Sequence, residues 1–228
     1  MNAQTYDNDA TAMIVGVGLM GQHMAQNVPA WLGLKKLVLV DHAAEINVGG
    51  VITTLSDFAA QIASGSDTEV IAETVDVRSE EEVRALFEKH QGIRYLQYTA
   101  GISPRPLTAP EDLTRDDVIS ACEVNLWGAH NVLKQGIHTG AFAQPRTHGV
   151  IITSTSATVG SEGRASAAYE ESKGGLLNLL RLQSRYFTEK HGIVLNGLAP
   201  SPLRGPMAAQ NEVSVGRLQA VADAMPLG

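Results

Sequence analysis

Gly16-Val17-Gly18-Leu19-Met20-Gly21 grows out of the apolar run Met13–Val17 and opens a stretch of helical character over residues 20–31. A buried strand that passes through a glycine turn into a helix is the first unit of a layered α/β fold. Glycine lets such a turn be tight, lets a ligand approach the backbone, and lets the helix pack close to its strand. The N-terminus of the helix then presents unpaired N–H groups and a partial positive charge, which suit phosphate. Glycines also make ordinary tight turns. The placement of these three in the first strand–helix unit favours a dinucleotide fingerprint.

Working outward, the same alternation repeats. Leu37–Val40, Val70–Val77, Arg94–Thr99, Val150–Thr155 and Ile193–Leu198 read as buried strands, apolar and closed by turn residues. Helical stretches are predicted near residues 50–63, 79–90, 112–138 and 167–190. Continuously apolar strands separated by helices imply a parallel sheet covered on both faces. The expectation is a single Rossmann-type, doubly wound α/β domain spanning residues 1–228.

Composition agrees with that class. The 228 residues are 44% hydrophobic and 18% charged, with a net charge of −7, which argues against a nucleic-acid or anionic-membrane surface. Cys122 is the only cysteine, so no intrachain disulfide can form, and a reducing, cytoplasmic setting is expected. The first ten residues are polar and acidic rather than a basic and apolar leader, and no apolar run reaches bilayer length. The seven histidines lack metal-ligand spacing, so no metal is expected. Glu80-Glu81-Glu82 reads as a solvated helix start, and Trp31 and Trp127 read as packing residues.

Two further features carry chemistry. Asp41 ends the second strand about 20 residues after the glycines, where a carboxylate accepts both adenosine ribose hydroxyls and repels a 2′-phosphate. An Asp capping the next helix is the plain alternative. With the glycine loop upstream, the ribose reading is favoured, and NAD over NADP. Later, Tyr169-Glu170-Glu171-Ser172-Lys173 sets a tyrosine and a lysine four apart on one helix face, with Ser154 and Ser156 upstream in and just after a strand. A lone Tyr-x-x-x-Lys is readily chance on a surface helix.

In company it is not. The chain resembles the short-chain dehydrogenase/reductases over nearly its whole length. The matching pieces are the glycine loop, Asp41, Asp76-Val77, Ala100-Gly101, Asn125-Leu126-Trp127-Gly128, Ser156, Tyr169-x-x-x-Lys173 and Asn196-Gly197-Leu198-Ala199-Pro200. The resemblance implies a catalytic tetrad of Asn125, Ser156, Tyr169 and Lys173. It implies a nicotinamide cofactor held by Gly16, Gly18, Met20, Gly21, Asp41, Asp76, Val77, Ala100, Gly101, Tyr169, Lys173, Pro200 and Leu203. A small-molecule alcohol or ketone substrate is implied too, and a homo-oligomer, dimer or tetramer, where the family's C-terminal segment is present. Departures are visible: the loop is Gly-x-Gly-x-x-Gly instead of Gly-x-x-x-Gly-x-Gly, Thr99 replaces an asparagine, Ser201 a glycine, and Gly205 stands where a threonine is common. Ala224–Gly228 resembles a segment that the family follows with a helix and a final strand, roughly 30 residues more. Without them Ile193–Leu198 would be an uncovered apolar edge, so a shortened form is expected.

The implied chemistry is physically sound. A free tyrosine titrates near pH 10, so acting as a base near neutrality asks for about 3–4 kcal/mol. A lysine charge about 5 Å away supplies roughly 3 kcal/mol at an effective dielectric of 20. Ser156 would orient the substrate oxygen, and Asn125 would support a water relay behind the lysine. Two alternatives stand beside this. Gly16–Asn27 also looks like the start of the β-hydroxyacid dehydrogenases, which need a second helical domain. A nucleotide-binding sensor or scaffold without turnover would share the fold.

Overall fold

The computed structural model describes residues 10–105, 108–159, 166–201 and 203. Six parallel strands form its sheet: β1 (Thr11–Val15), β2 (Lys36–Asp41), β5 (Glu69–Thr74), β6 (Ile93–Tyr98), β7 (Thr147–Ile152) and β8 (Ile193–Leu198), in the order β5-β2-β1-β6-β7-β8. The order reverses between β1 and β6. That is the point where a doubly wound sheet opens a crevice at the carboxyl ends of its strands.

Alternation along the strands shows why both faces are covered. Ala12, Ile14, Leu37 and Leu39 pack with Ala25 and Val28 of α1 (Leu19–Leu32) and Phe58 and Ala59 of α2 (Leu55–Ser64). Met13, Val15, Val38 and Val40 point the other way. They join Val83 and Phe87 of α3 (Glu80–Lys89), Leu133 of α5 (Gly128–His138) and Leu176 of α6 (Ala167–His191). Successive side chains of a strand face opposite sides, so each central strand contributes to two cores. The expected doubly wound α/β architecture is what the structure has.

Several boundaries differ from the sequence reading. Residues 51–54 are not helical: β3 (Glu45–Val48) and β4 (Val51–Thr54) form an antiparallel hairpin before α2 begins. The cause is Gly49-Gly50, both at positive φ (59° and 95°), which is what a two-residue hairpin turn demands. Thr54 then caps α2 by accepting from Asp57 N at 3.0 Å. The predicted helix 112–138 is three pieces: α4 (Arg115–Cys122), a π-helical turn (Glu123–Trp127) and α5. Strand β5 stops at Thr74 rather than reaching Val77, because Asp76 turns the chain onto Arg78. Trp31 is no packing residue; it is 66% exposed at the end of α1. Among the described residues, β8 is the last strand of the order. The expectations for residues 204–210 and 224–228 lie outside them.

Two helical glycines give opposite expected outcomes. In α6 a Cβ on Gly174 would meet nothing within 4 Å, so Gly174→Ala should raise stability by up to about 1 kcal/mol through helix propensity. In α5 a Cβ on Gly136 would lie 2.3 Å from the Phe142 ring, so Gly136→Ala should lower it by about 1–3 kcal/mol. Urea denaturation of the two variants checks the sign. A stabilised Gly136→Ala would contradict the packing of Phe142 against α5.

Candidate active site

The glycine loop separates into what the fold needs and what it leaves free. A Cβ on Gly16 would fall 2.3 Å from Ala100 N, and one on Gly21 would fall 2.0 Å from Gly16 O. Those two glycines let β1, β6 and α1 close on one another. A Cβ on Gly18 would touch nothing within 4 Å. Gly18 caps α1 with no side-chain hydrogen bond and no acidic residue in the first turn, where Met20 is half-buried. The backbone N–H groups there are open to an anion, and the space above Gly18 admits one. The loop therefore fits a pyrophosphate.

The loop is braced from two sides. Thr99 Oγ1 donates to Val15 O at 3.1 Å and also to Gly16 O, while Thr99 N and Ala100 N both donate to Val15 O. Gln22 Nε2 donates to Val17 O at 2.9 Å and to Asn47 O of the hairpin at 2.8 Å. Asp41 Oδ2 accepts from Val17 N at 2.7 Å, and Oδ1 accepts from Ala43 N at 3.1 Å with His42 Nδ1 3.0 Å away. A hairpin follows Asp41, so its carboxylate ties the glycine loop to the end of β2 and caps no helix. Asp76 sits near this end, forked onto Arg78 with Oδ2 2.6 Å from Nη2. The arginine bond holds its carboxyl below the ordinary range against partial burial. Val77 O accepts from Asn131 Nδ2 at 2.9 Å.

The second cluster lies at the carboxyl ends of β6 and β7. Lys173, 3% exposed, donates from Nζ to Ile152 O at 2.9 Å. Its ammonium is 5.7 Å from the centre of the Tyr169 ring. A Cβ on Gly101 would stand 3.2 Å from Nζ and 3.3 Å from Asn125 Oδ1, so the absence of a side chain at 101 leaves the lysine its place. Asn125 is fully buried in the π turn. Its Oδ1 accepts from Ile102 N at 2.8 Å, and its Nδ2 donates to Ile102 O at 2.9 Å and Ser172 Oγ at 2.8 Å. Ser172 Oγ in turn donates to Tyr169 O at 2.7 Å. The Ser154 side chain stands near enough to the Tyr169 phenol to ease its ionisation. Ser156 gives its backbone N–H to Ser154 Oγ at 3.1 Å, which leaves the Ser154 proton free to donate. The family spacing pointed to Ser156, and the serine set against the phenol is two residues earlier.

Electrostatics follow from burial. Burial pushes the Tyr169 phenol above its ordinary value, and the Ser154 side chain opposes this. Burial pulls the Lys173 ammonium down to about 8. Among the described residues no carboxylate pairs with it. The loop after β8 closes the same end of the sheet: Pro200 O accepts from Thr155 N at 3.2 Å, and Leu203 is 45% exposed beside it. No group of metal-ligating side chains occurs among the described residues. No helix among them is long and apolar enough to cross a membrane. Sequence reasoning missed Gln22, Tyr98 and Ser172; only Ser172 carried a signal, since it lies inside the Tyr169–Lys173 motif.

Comparison with known proteins bears on the family and the fold. A family model described as enoyl-(acyl carrier protein) reductase matches residues 38–228. Short-chain dehydrogenase reductase 3c of Arabidopsis thaliana is 32% identical over 152 residues, which are 66% of this chain and 57% of that relative. The match thus spans little more than half of the curated relative's length. Among solved structures, a short-chain dehydrogenase/reductase from Burkholderia phymatum in complex with NAD superposes with a TM-score of 0.74 at 19% identity, covering 99% of this chain and 83% of that one. An actinorhodin polyketide ketoreductase with NADPH superposes at 0.75 and 21% identity, covering 96% and 84%. Likeness at this identity concerns the fold, and the family match carries the assignment: the chain belongs to the short-chain dehydrogenase/reductases, a family of oxidoreductases that bind a nicotinamide dinucleotide.

Proposed function

We propose that this single domain is an NAD-dependent oxidoreductase that interconverts a secondary alcohol and a ketone. One observation carries the reading: a tyrosine phenol beside a buried ammonium that no carboxylate pairs with among the described residues, at the mouth of the crevice the glycine loop opens. A nucleotide-binding scaffold would have no use for an isolated buried charge, which costs stability.

The residues that would hold the dinucleotide are Gly16, Gly18, Met20 and Gly21 at the pyrophosphate, Asp41 at the adenosine ribose, and Asp76 and Val77 at the adenine. Ala100 and Gly101 would line its path, Tyr169 and Lys173 would meet the nicotinamide ribose, and Pro200 and Leu203 the carboxamide. When bound, the nicotinamide accepts hydride in oxidation and donates it in reduction. Tyr169 Oη takes the alcohol proton in one direction and returns it in the other. The Lys173 charge, 5.7 Å from the ring centre, favours the phenolate form. It acts against the burial that holds the phenol above its ordinary value. Ser154 stands beside the phenol, Ser156 remains the hydroxyl available to the substrate oxygen, and Asn125 joins the loop at Ile102 to α6 behind the lysine. Asp41 disfavours a 2′-phosphate by charge, hence NAD over NADP.

The reading extends to assembly. Leu182, 79% exposed, stands over a shallow apolar groove of about 500 Å³ between the π turn and α6, lined by Leu126, Trp127 and Leu179. A second copy would cover this face, so a homo-oligomer is proposed.

Reduced-nicotinamide absorbance against a panel of secondary alcohols and ketones tests the activity. Tyr169→Phe should keep NAD binding while turnover falls at least about a hundredfold, the scale of acid–base catalysis; retention of most turnover would place the proton acceptor elsewhere. Lys173→Met should also lose turnover yet melt higher at neutral pH. The folded lysine titrates near 8 against an ordinary 10.5, so its penalty is full below pH 8 and is relieved as pH rises through that value. The gain from its removal, about 1–3 kcal/mol at pH 7, should therefore shrink above pH 8. A variant that melts lower at every pH would contradict the lysine's burial.

Cofactor choice has its own check. Wild type should bind NAD at least about tenfold more tightly than NADP, about 1.4 kcal/mol. Asp41→Ala and the isosteric Asp41→Asn should both narrow the gap, the second without loosening the loop as much. Equal affinity of the unaltered protein for both dinucleotides would overturn the role given to Asp41.

A further inference from the structure

Tyr98 ends β6, in register between Val15 and Ile151, and is 1% exposed. Its ring lies in the core that β1, β2, α3 and α5 share. A phenylalanine would fill the same volume, so the hydroxyl asks for its own explanation. It donates to Val124 O at 2.5 Å, inside the π turn and one residue before Asn125. The approach depends on Gly128: a Cβ there would come within 2.3 Å of the Tyr98 oxygen and 2.7 Å of Val77 Cγ2. A phenol on a central strand is thus admitted through a glycine notch to one carbonyl of the widened turn. Burial, with the Asp76 charge adding to it, pushes this phenol far above its ordinary value. It remains a neutral donor.

A π turn inserts one extra residue into a helix and is frequent at functional sites. Here it turns Asn125 inward, where both ends of its amide are used: Ile102 beside Gly101 on one side, and Ser172 with the Tyr169 carbonyl on the other. The chain of contacts runs from the rigid strand through Tyr98 and Val124 to Asn125, and from there to the helix that carries Tyr169 and Lys173. We propose that Tyr98, admitted by Gly128, is a positioning residue that holds the π turn and so sets Asn125 between the Ile102 loop and α6. Its effect on turnover rests on the catalytic reading given above; its effect on Asn125 does not.

Tyr98→Phe tests both. The side-chain amide protons of Asn125, assigned by their loss in Asn125→Asp, should shift in the nitrogen–proton spectrum of Tyr98→Phe. NAD affinity should stay within about twofold, while kcat falls about three- to tenfold, the scale of one hydrogen bond. On an Asn125→Ala background Tyr98→Phe should cost no further turnover, because the hydroxyl acts through Asn125. An unmoved Asn125 amide, or losses that multiply in the double variant, would overturn the proposal. If wild type shows no turnover on any alcohol or ketone, the catalytic reading fails, and the amide spectrum alone decides the positioning claim. Should Tyr98→Phe fail to fold, Gly128→Ala, which pushes the phenol off Val124 O, gives the same spectral test.

Discussion

A lysine ammonium buried at the carboxyl end of β7, bonded to a single backbone carbonyl, is the constraint around which the rest of the site is built. Water would solvate this charge far better than Ile152 O does, and its depressed titration reports that cost. The surroundings accept it by leaving space and by supplying order. Gly101 has no side chain to crowd it, Asn125 keeps the adjoining loop in place, and the long α6 fixes its distance from Tyr169. A charge of this kind is out of place in a merely structural core, yet suited to one whose task is to favour a phenolate.

The sheet explains why these groups meet. All its strands are parallel, so the ends of β1, β2, β6, β7 and β8 lie on one rim, and the order reverses between β1 and β6. The glycine loop and Asp41 stand on one side of that reversal and the lysine cluster on the other. Thr99 and Ala100 bond the two halves through Val15 O. The hairpin after Asp41 adds a second brace through Gln22. Loop and cluster are thus parts of one rigid rim, as a reaction needing its partners held within a fraction of an ångström requires.

Much of this was legible in the residues. The apolar strands, the glycine turn and the four-residue spacing of Tyr169 and Lys173 have local signatures, and these led to the fold and to the residues proposed for the site. What escaped has no local signature. Gly49-Gly50 is a hairpin signal, but the run after it also suits an amphipathic helix, and the pairing of Val51 with Val48 decided the matter. The break at residues 123–127 is invisible to periodicity, because it depends on a tyrosine 26 positions earlier and on a glycine notch. Spacing from Tyr169 selected Ser156. The local turn, in which Ser154 Oγ caps Ser156 N, also sets Ser154 beside the phenol, which the spacing did not single out. Trp31 was judged by its residue type and lies exposed.

The most direct measurement is an ultraviolet titration of tyrosine ionisation in the NAD-bound protein, comparing wild type with Tyr169→Phe and Lys173→Met. The account predicts that one phenol of the wild type, with the cationic nicotinamide adding to the Lys173 charge, ionises below the ordinary tyrosine value of about 10. That step should be absent from Tyr169→Phe and displaced to higher pH in Lys173→Met. A wild-type curve without a low step, or one that Lys173→Met leaves in place, would contradict the claim that the buried lysine prepares Tyr169 to move a proton.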